Sequence, residues 1–150
     1  MRDTAEELTE EVHASISSLC EAGDAYAEAG KYDLALEKYR EAFALLPPPF
    51  EKWEAATWIL TAIGDALFRK GDYARAQETI QEAMHCPGAI GNPFIHLRLG
   101  QAQFELMNIE RAKDELARAY MGGGDEIFKD EDPKYLHFIK EILRPREDDL

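Results

Sequence analysis

The sequence predicts an all-α chain: three helix–turn–helix units stacked side by side and closed by one further helix. Apolar residues recur at steps of three and four, which places them on one face of a helix. The order of small and large residues then repeats. Leu19, Ala22-Gly23, Tyr26, Gly30-Lys31-Tyr32, Ala35, Tyr39 and Ala42 form the first set. Leu60, Ile63-Gly64, Leu67, Gly71-Asp72-Tyr73, Ala76, Ile80 and Ala83 form the second. His96, Leu99-Gly100, Gln103, Met107-Asn108-Ile109, Ala112, Leu116 and Ala119 form the third. Glycine, asparagine and proline fall near the ends of these segments, where helices stop and restart.

Thr4 followed by Glu7 has the spacing of a capping box, so the first helix is expected to begin there. Leu8, Val12, Ile16, Leu19, Gly23 and Tyr26 continue as one apolar stripe, which Gly30 stops. Its first turns exceed what the repeat needs and are expected to cover the exposed end of the stack. A second helix is expected over about 32–46, ended by Pro47-Pro48-Pro49. The third is expected from close to Phe50 to Lys70, with Phe50 to Ala56 as two added turns and Trp53 on them, packed against the end of the second helix. Asp72 caps a fourth helix over about 73–85, and 86–92 form a loop. Asn92 before Pro93 joins a capping side chain to a proline in the first turn. That pair starts the fifth helix, which runs to about Met107. The sixth covers about 109–120, and Gly122-Gly123-Gly124 reads as a flexible break. Asp132-Pro133 begins the closing helix, with Tyr135, Leu136, Ile139, Ile142 and Leu143 toward the stack. Pro145 ends it, and 146–150 are expected to be disordered.

A chain of 150 residues, 45% hydrophobic and 31% charged, is expected to form one globular domain with a genuine core. Its 30 acidic and 17 basic residues leave a net charge of −13. Nucleic acid and anionic membranes need a positive surface, so both are disfavoured as partners. A basic protein partner is favoured, because the acid is concentrated at one end. Residues 1–49 hold eleven acidic and four basic side chains, net −7, against −2 for 50–91 and −4 for 92–150. The start of the chain lacks the apolar core of a signal peptide, and no apolar run has the length of a membrane span. Two cysteines on helical patterns, Cys20 and Cys86, are expected as reduced thiols in a cytoplasmic protein.

No arrangement of residues points to catalysis. Cys20 is the best nucleophile candidate, but Glu21 beside it and Asp24 one turn on oppose a thiolate. Glu10/His13 and Glu82/His85 have the Glu-x-x-His spacing of carboxylate-bridged metal sites. The start of a first helix and the end of a fourth do not face each other in a stack, so these are chance pairs. Gly122 to Gly124 lack the Lys-Ser/Thr and the preceding strand of a phosphate loop. The expectation is a protein with no catalytic residues, no metal and no cofactor.

A helix–turn–helix unit of roughly 34 residues with this order of small and large positions resembles the tetratricopeptide repeat. The resemblance covers nearly the whole chain, with repeats at about 16–49, 57–90 and 93–126 and a capping helix at about 132–143. The third repeat departs from the pattern at Gln103, where an aromatic is usual, and at Met107, where glycine is. The resemblance implies a right-handed superhelical stack whose first helices line a concave, ligand-binding surface. Carried over position by position, that surface takes Ser17, Cys20, Asp24, Ala27 and Glu28 from the first repeat. The second supplies Trp58, Thr61, Asp65, Phe68 and Arg69, and the third Phe94, Leu97, Gln101, Phe104 and Glu105, with Glu21 and Arg98 at the border. Phe94 and Phe104 have the alternative of packing under the closing helix. Relatives that hold acidic chaperone tails use lysine, asparagine and arginine on this surface. Here those places are mostly acidic or apolar, which argues against such tails.

The implied function is non-enzymatic capture of a basic protein in an acidic, aromatic groove, by a monomer or small homo-oligomer. The chain also looks like small stand-alone bacterial tetratricopeptide proteins that act as immunity partners of toxins. A secretion chaperone and a homo-oligomerising assembly scaffold are the alternatives.

Overall fold

The computed structural model describes residues 7–144. Thr4, Pro145 and the tail 146–150, with the expectations attached to them, lie outside that range. Helix α1 (Glu10–Glu28) starts later than the capping-box pattern suggests, because Thr9 is the cap: its hydroxyl oxygen accepts from the Val12 amide at 3.2 Å. Leu8 and Val12 still pack on the core, so the early turns cover the end of the stack as expected. Helix α2 (Tyr32–Ala44) follows after a turn at Gly30, whose φ of 75° is in the left-handed region that glycine adopts without strain.

The stretch expected to add two turns to the third helix forms a short 3-10 turn, Phe50–Lys52, and α3 is Glu54–Lys70. Trp53 is the junction. Its extended backbone caps α3, and its indole Nε1 donates to the Pro47 carbonyl at 2.6 Å. The ring is only 7% exposed and joins Leu46 in the core, which fixes the end of α2 as expected.

Helix α4 (Tyr73–Ala83) starts at the Asp72 cap, and α5 (Pro93–Glu105) at Asn92, whose side-chain oxygen accepts from the amides of Phe94 and Ile95. Helix α6 (Ile109–Gly123) runs three residues beyond its expected end. Gly122 and Gly123 are therefore helical, which corrects the reading of 122–124 as a flexible break. A Cβ on Gly122 would fall 2.7 Å from Pro93 Cγ, so this glycine lets α6 close against the first turn of α5. A 3-10 turn, Asp125–Phe128, leads to α7 (Pro133–Leu143), capped by Asp132. Tyr135, Leu136 and Ile139 face the stack, while Ile142 and Leu143 remain partly exposed, contrary to expectation.

Each helix packs on the next, and α3 also touches α5. The pairing of first and second helices rests on three equivalent contacts. Gly23 faces Tyr39, Gly64 faces Ile80, and Gly100 faces Leu116, each so close that any Cβ would fall within 3 Å of the opposing side chain. One repeated residue choice thus sets the helix spacing three times. The described residues contain seven α-helices and no strand.

Candidate protein-binding surface

The first helices of the three pairs carry the side chains expected on the binding face, and its two halves differ. In the half built on α5, the face is filled by the chain itself. Arg98 is buried and donates through Nε to Asp65 Oδ1 at 2.6 Å. Its Nη1 donates to Gln101 Oε1 at 2.7 Å and to Glu131 Oε1 at 2.6 Å. Gln101 Nε2 donates to the same Glu131 oxygen at 2.9 Å. The guanidinium lies over the Phe68 and Phe94 rings, 5.1 and 4.9 Å from their centroids. Burial would lower the Arg98 pKa, but the facing carboxylates of Asp65 and Glu131 reverse this and raise it. Arg98 is therefore a fixed cation joining α3, α5 and the segment before α7.

Aromatic packing completes the closure. Tyr135 of α7 stands against Phe68 and Phe104, with centroids 6.5 and 5.4 Å away, and Phe138 packs edge-on to Phe104 at 5.1 Å. The Tyr135 hydroxyl donates to Glu105 Oε2 at 2.6 Å, and Lys134 Nζ lies 2.7 Å from the same oxygen. Burial works to raise the Glu105 pKa, yet these two donors outweigh it and hold the carboxyl below its usual range. Burial, then the Glu105 hydrogen bond, pushes the Tyr135 phenol up.

Of the seventeen residues expected on the binding surface, Ala27, Thr61, Leu97, Arg98 and Gln101 are buried instead, and the Thr61 hydroxyl donates to the Thr57 carbonyl at 2.7 Å. Phe68 and Phe104 are part-buried beneath α7. Asp65 is held by Arg98, with Arg69 Nη1 3.6 Å from its other oxygen. Phe94 stays 36% exposed at the edge of this half. Glu131 and Tyr135, which make the closure, were not singled out as groove residues. The Asp132-Pro133 signal gives the helix start, and nothing in the local pattern gives its reach across to α3.

The half built on α1 and α3 is open. Trp58 is 48% exposed, and an open cleft of about 740 Å³ lies beside it. Leu8, Ile16, Cys20, Trp53 and Ile59 line the cleft with Trp58. Glu21, Asp24 and Glu28 are exposed on α1. Asp24 accepts a 2.6 Å hydrogen bond from the Tyr39 hydroxyl, whose pKa burial and this bond both raise. Burial, and then Asp24, also push the Cys20 thiol up, which opposes its use as a nucleophile. His96 is buried between helices, with Nδ1 2.6 Å from Glu115 Oε1 and Nε2 accepting from the Gly91 amide. Nε2 as acceptor leaves Nδ1 to carry the proton, so both ring nitrogens are committed to structure.

Comparison with known proteins agrees with this architecture. A family model described as tetratricopeptide repeat matches residues 59–84. A comparison with curated protein sequences gives no match. Among solved structures, the C-terminal TPR-containing domain of an FK506-binding protein of Plasmodium falciparum is similar, with a TM-score of 0.70 at 16% identity over 92% of each chain. The Yersinia enterocolitica type III secretion chaperone SycD, in complex with a peptide of the translocator YopD, gives 0.69 at 14% identity, over 89% of this chain and 96% of that one. The second TPR domain of human RPAP3, in complex with an HSP70 peptide, gives 0.66 at 17% identity, over 89% of this chain and 99% of that one.

Proposed function

The chain is a tetratricopeptide-repeat protein in fold, and from that premise we propose that it is a non-enzymatic module capturing a protein partner on the face of α1 and α3. The observation that carries this reading is Trp58. It is a large aromatic left half exposed on a face whose other end the chain fills for itself. Aromatic anchors of this kind dominate protein interfaces, because they bury much area for little lost side-chain freedom. Similar domains hold peptides of HSP70 and of YopD, which supports use of the same fold for a protein ligand here.

The partner is a basic protein. The net charge of −13, densest in the first 49 residues, supports fast electrostatic capture of such a ligand. Acidic tails suit this surface poorly, since Arg98 is already held between two carboxylates. An immunity protein that neutralises a basic toxin is the finer reading, with the charge as its support. A secretion chaperone is the second, favoured by the likeness to SycD over nearly all of that chain. The free thiols of Cys20 and Cys86 suit a reducing, cytoplasmic setting. Among the described residues no helix is long and apolar enough to cross a membrane.

The test is a pair of variants measured against a partner captured from the native cell and then purified. Trp58→Ala should weaken binding by about 2 kcal/mol with an unchanged fold. Ile80→Ala, in the α3–α4 contact and outside the cleft, should lower the melting temperature and leave the affinity of the folded fraction intact. The reverse pattern, binding lost in a folded Ile80→Ala and retained without Trp58, overturns the assignment of this face.

A further inference from the structure

Two observations at the α1 end of the stack point to the chemistry of the ligand. The first is the cleft between the N-terminal parts of α1 and α3. Leu8, Ile16, Trp53, Trp58 and Ile59 give it apolar walls, and its volume of about 740 Å³ is in the range of sites that bury organic groups. Glu7, His13, Lys52 and Glu54 also line it, with Lys52 Nζ 4.8 Å from the Trp53 ring centroid. The second is the state of the nearby charges. Glu7, Glu10, Glu11, Glu21 and Glu28 form no ion pair among the described residues, and residues 7–30 contain no lysine or arginine. Elsewhere the carboxylates are largely neutralised within the chain. Glu105 is paired with Lys134, Glu110 with Lys113, Asp114 with Arg118, Asp125 with Lys140, Glu126 with Lys129 and Glu141 with Arg144. The apolar cleft therefore adjoins the most uncompensated acidic part of the described chain.

We propose that this cleft is the anchor site for a basic amphipathic segment of the partner protein. One or two large apolar side chains of that segment enter between α1 and α3 and stack on Trp58. Its lysine or arginine side chains lie against the unpaired carboxylates of α1. The proposal rests on the protein-binding reading above and narrows it to one ligand chemistry and one end of the face. A second copy of this chain is a poor occupant, because two bodies of charge −13 repel and each would present the same acidic end. An anionic membrane meets the same repulsion.

The experiment selects random 12-residue peptides, displayed on phage, against the immobilised full-length chain. Enriched peptides should carry at least two large apolar residues and a net positive charge. Their affinity should fall tenfold or more in Ser17→Trp, which fills the cleft from an exposed position, and in Trp58→Ala. Phe94→Ala, at the far edge of the face, should leave it unchanged, and circular dichroism should show all three variants folded. Enrichment of acidic or uncharged peptides overturns the proposal, as does an absence of enrichment or full binding to Ser17→Trp. Binding lost in Phe94→Ala but kept in Ser17→Trp moves the ligand along the face, so it overturns the cleft while sparing the wider reading. A purified partner that binds all three variants like the parent overturns both.

Discussion

Arg98 of α5 and Asp65 of α3 meet at 2.6 Å inside the stack, and the charge they share extends to Glu131 ahead of α7. One guanidinium thus holds carboxylates from two other parts of the chain. Removing a buried partner from such a pair typically costs about 3 kcal/mol, because the charges left behind lack compensation. Arg98→Met should lower stability by about that amount in thermal or urea unfolding. Adding Asp65→Leu to Arg98→Met should recover part of the loss, since one stranded carboxylate goes with it. A single variant as stable as the parent would mean that solvent already screens the node.

Glu105 makes the attachment of α7 sensitive to acid. Its carboxyl is held below the ordinary carboxylate range in the folded protein by Lys134 and Tyr135. A group depressed on folding contributes stability that is present above its unfolded pKa and lost as pH falls through the folded one. The closing helix should therefore loosen as pH drops below about 4.5, with α7 amides exchanging faster than those of α3. Glu105→Gln should weaken α7 at neutral pH and flatten this dependence. Identical acid profiles in the two proteins would rule out the assignment.

Gly64 should not tolerate a side chain. Ile80 stands where its Cβ would go, so Gly64→Leu forces the α3–α4 pair apart, and overpacking of this kind costs about 1–3 kcal/mol. Chemical denaturation measures it directly.

Gln103 offers the opposite case. Its side-chain oxygen is buried without a hydrogen-bond partner, at a place equivalent to Tyr26 and Leu67 in the other pairs. A stranded polar atom costs roughly 1–3 kcal/mol. Gln103→Met keeps the volume and removes the atom, so it should raise stability by about 1 kcal/mol. A lowered melting temperature would show that the oxygen has a solvent partner the protein needs.

Most of the fold was legible because it rests on local rules. Gly23, Gly64 and Gly100 each recur 16 residues before their contact, so a repeat in the sequence is a repeat in space. Asp72, Asn92 and Asp132 act as caps through side chains next to the helices they start. Even Met107, which breaks the glycine pattern, takes the same left-handed conformation, with φ 65° beside 75° at Gly30 and 95° at Gly71. The added stretch before α3 was less legible, since Phe50 to Lys52 have enough helical character to form a turn but Trp53 is held extended by its cap role. The binding face was legible as positions and not as availability. Whether Arg98, Gln101 and Phe104 face solvent depends on Glu131, Tyr135 and Phe138, which lie 30 to 34 residues beyond the residues they contact and reach back across the stack. No periodicity within one helix encodes that return.

The chain has two tryptophans, one walled into the α2–α3 junction and the other half in solvent beside the cleft. Their fluorescence should therefore divide into two signals. Trp53 should emit at short wavelength, resist acrylamide and shift most when the chain unfolds. Trp58 should emit near the wavelength of indole in water, be quenched readily, and lose that quenching when a ligand covers it. Replacing either one with phenylalanine isolates the other. The protein thus carries its own pair of optical probes, one for the integrity of the junction and one for occupancy of the cleft, with no label attached.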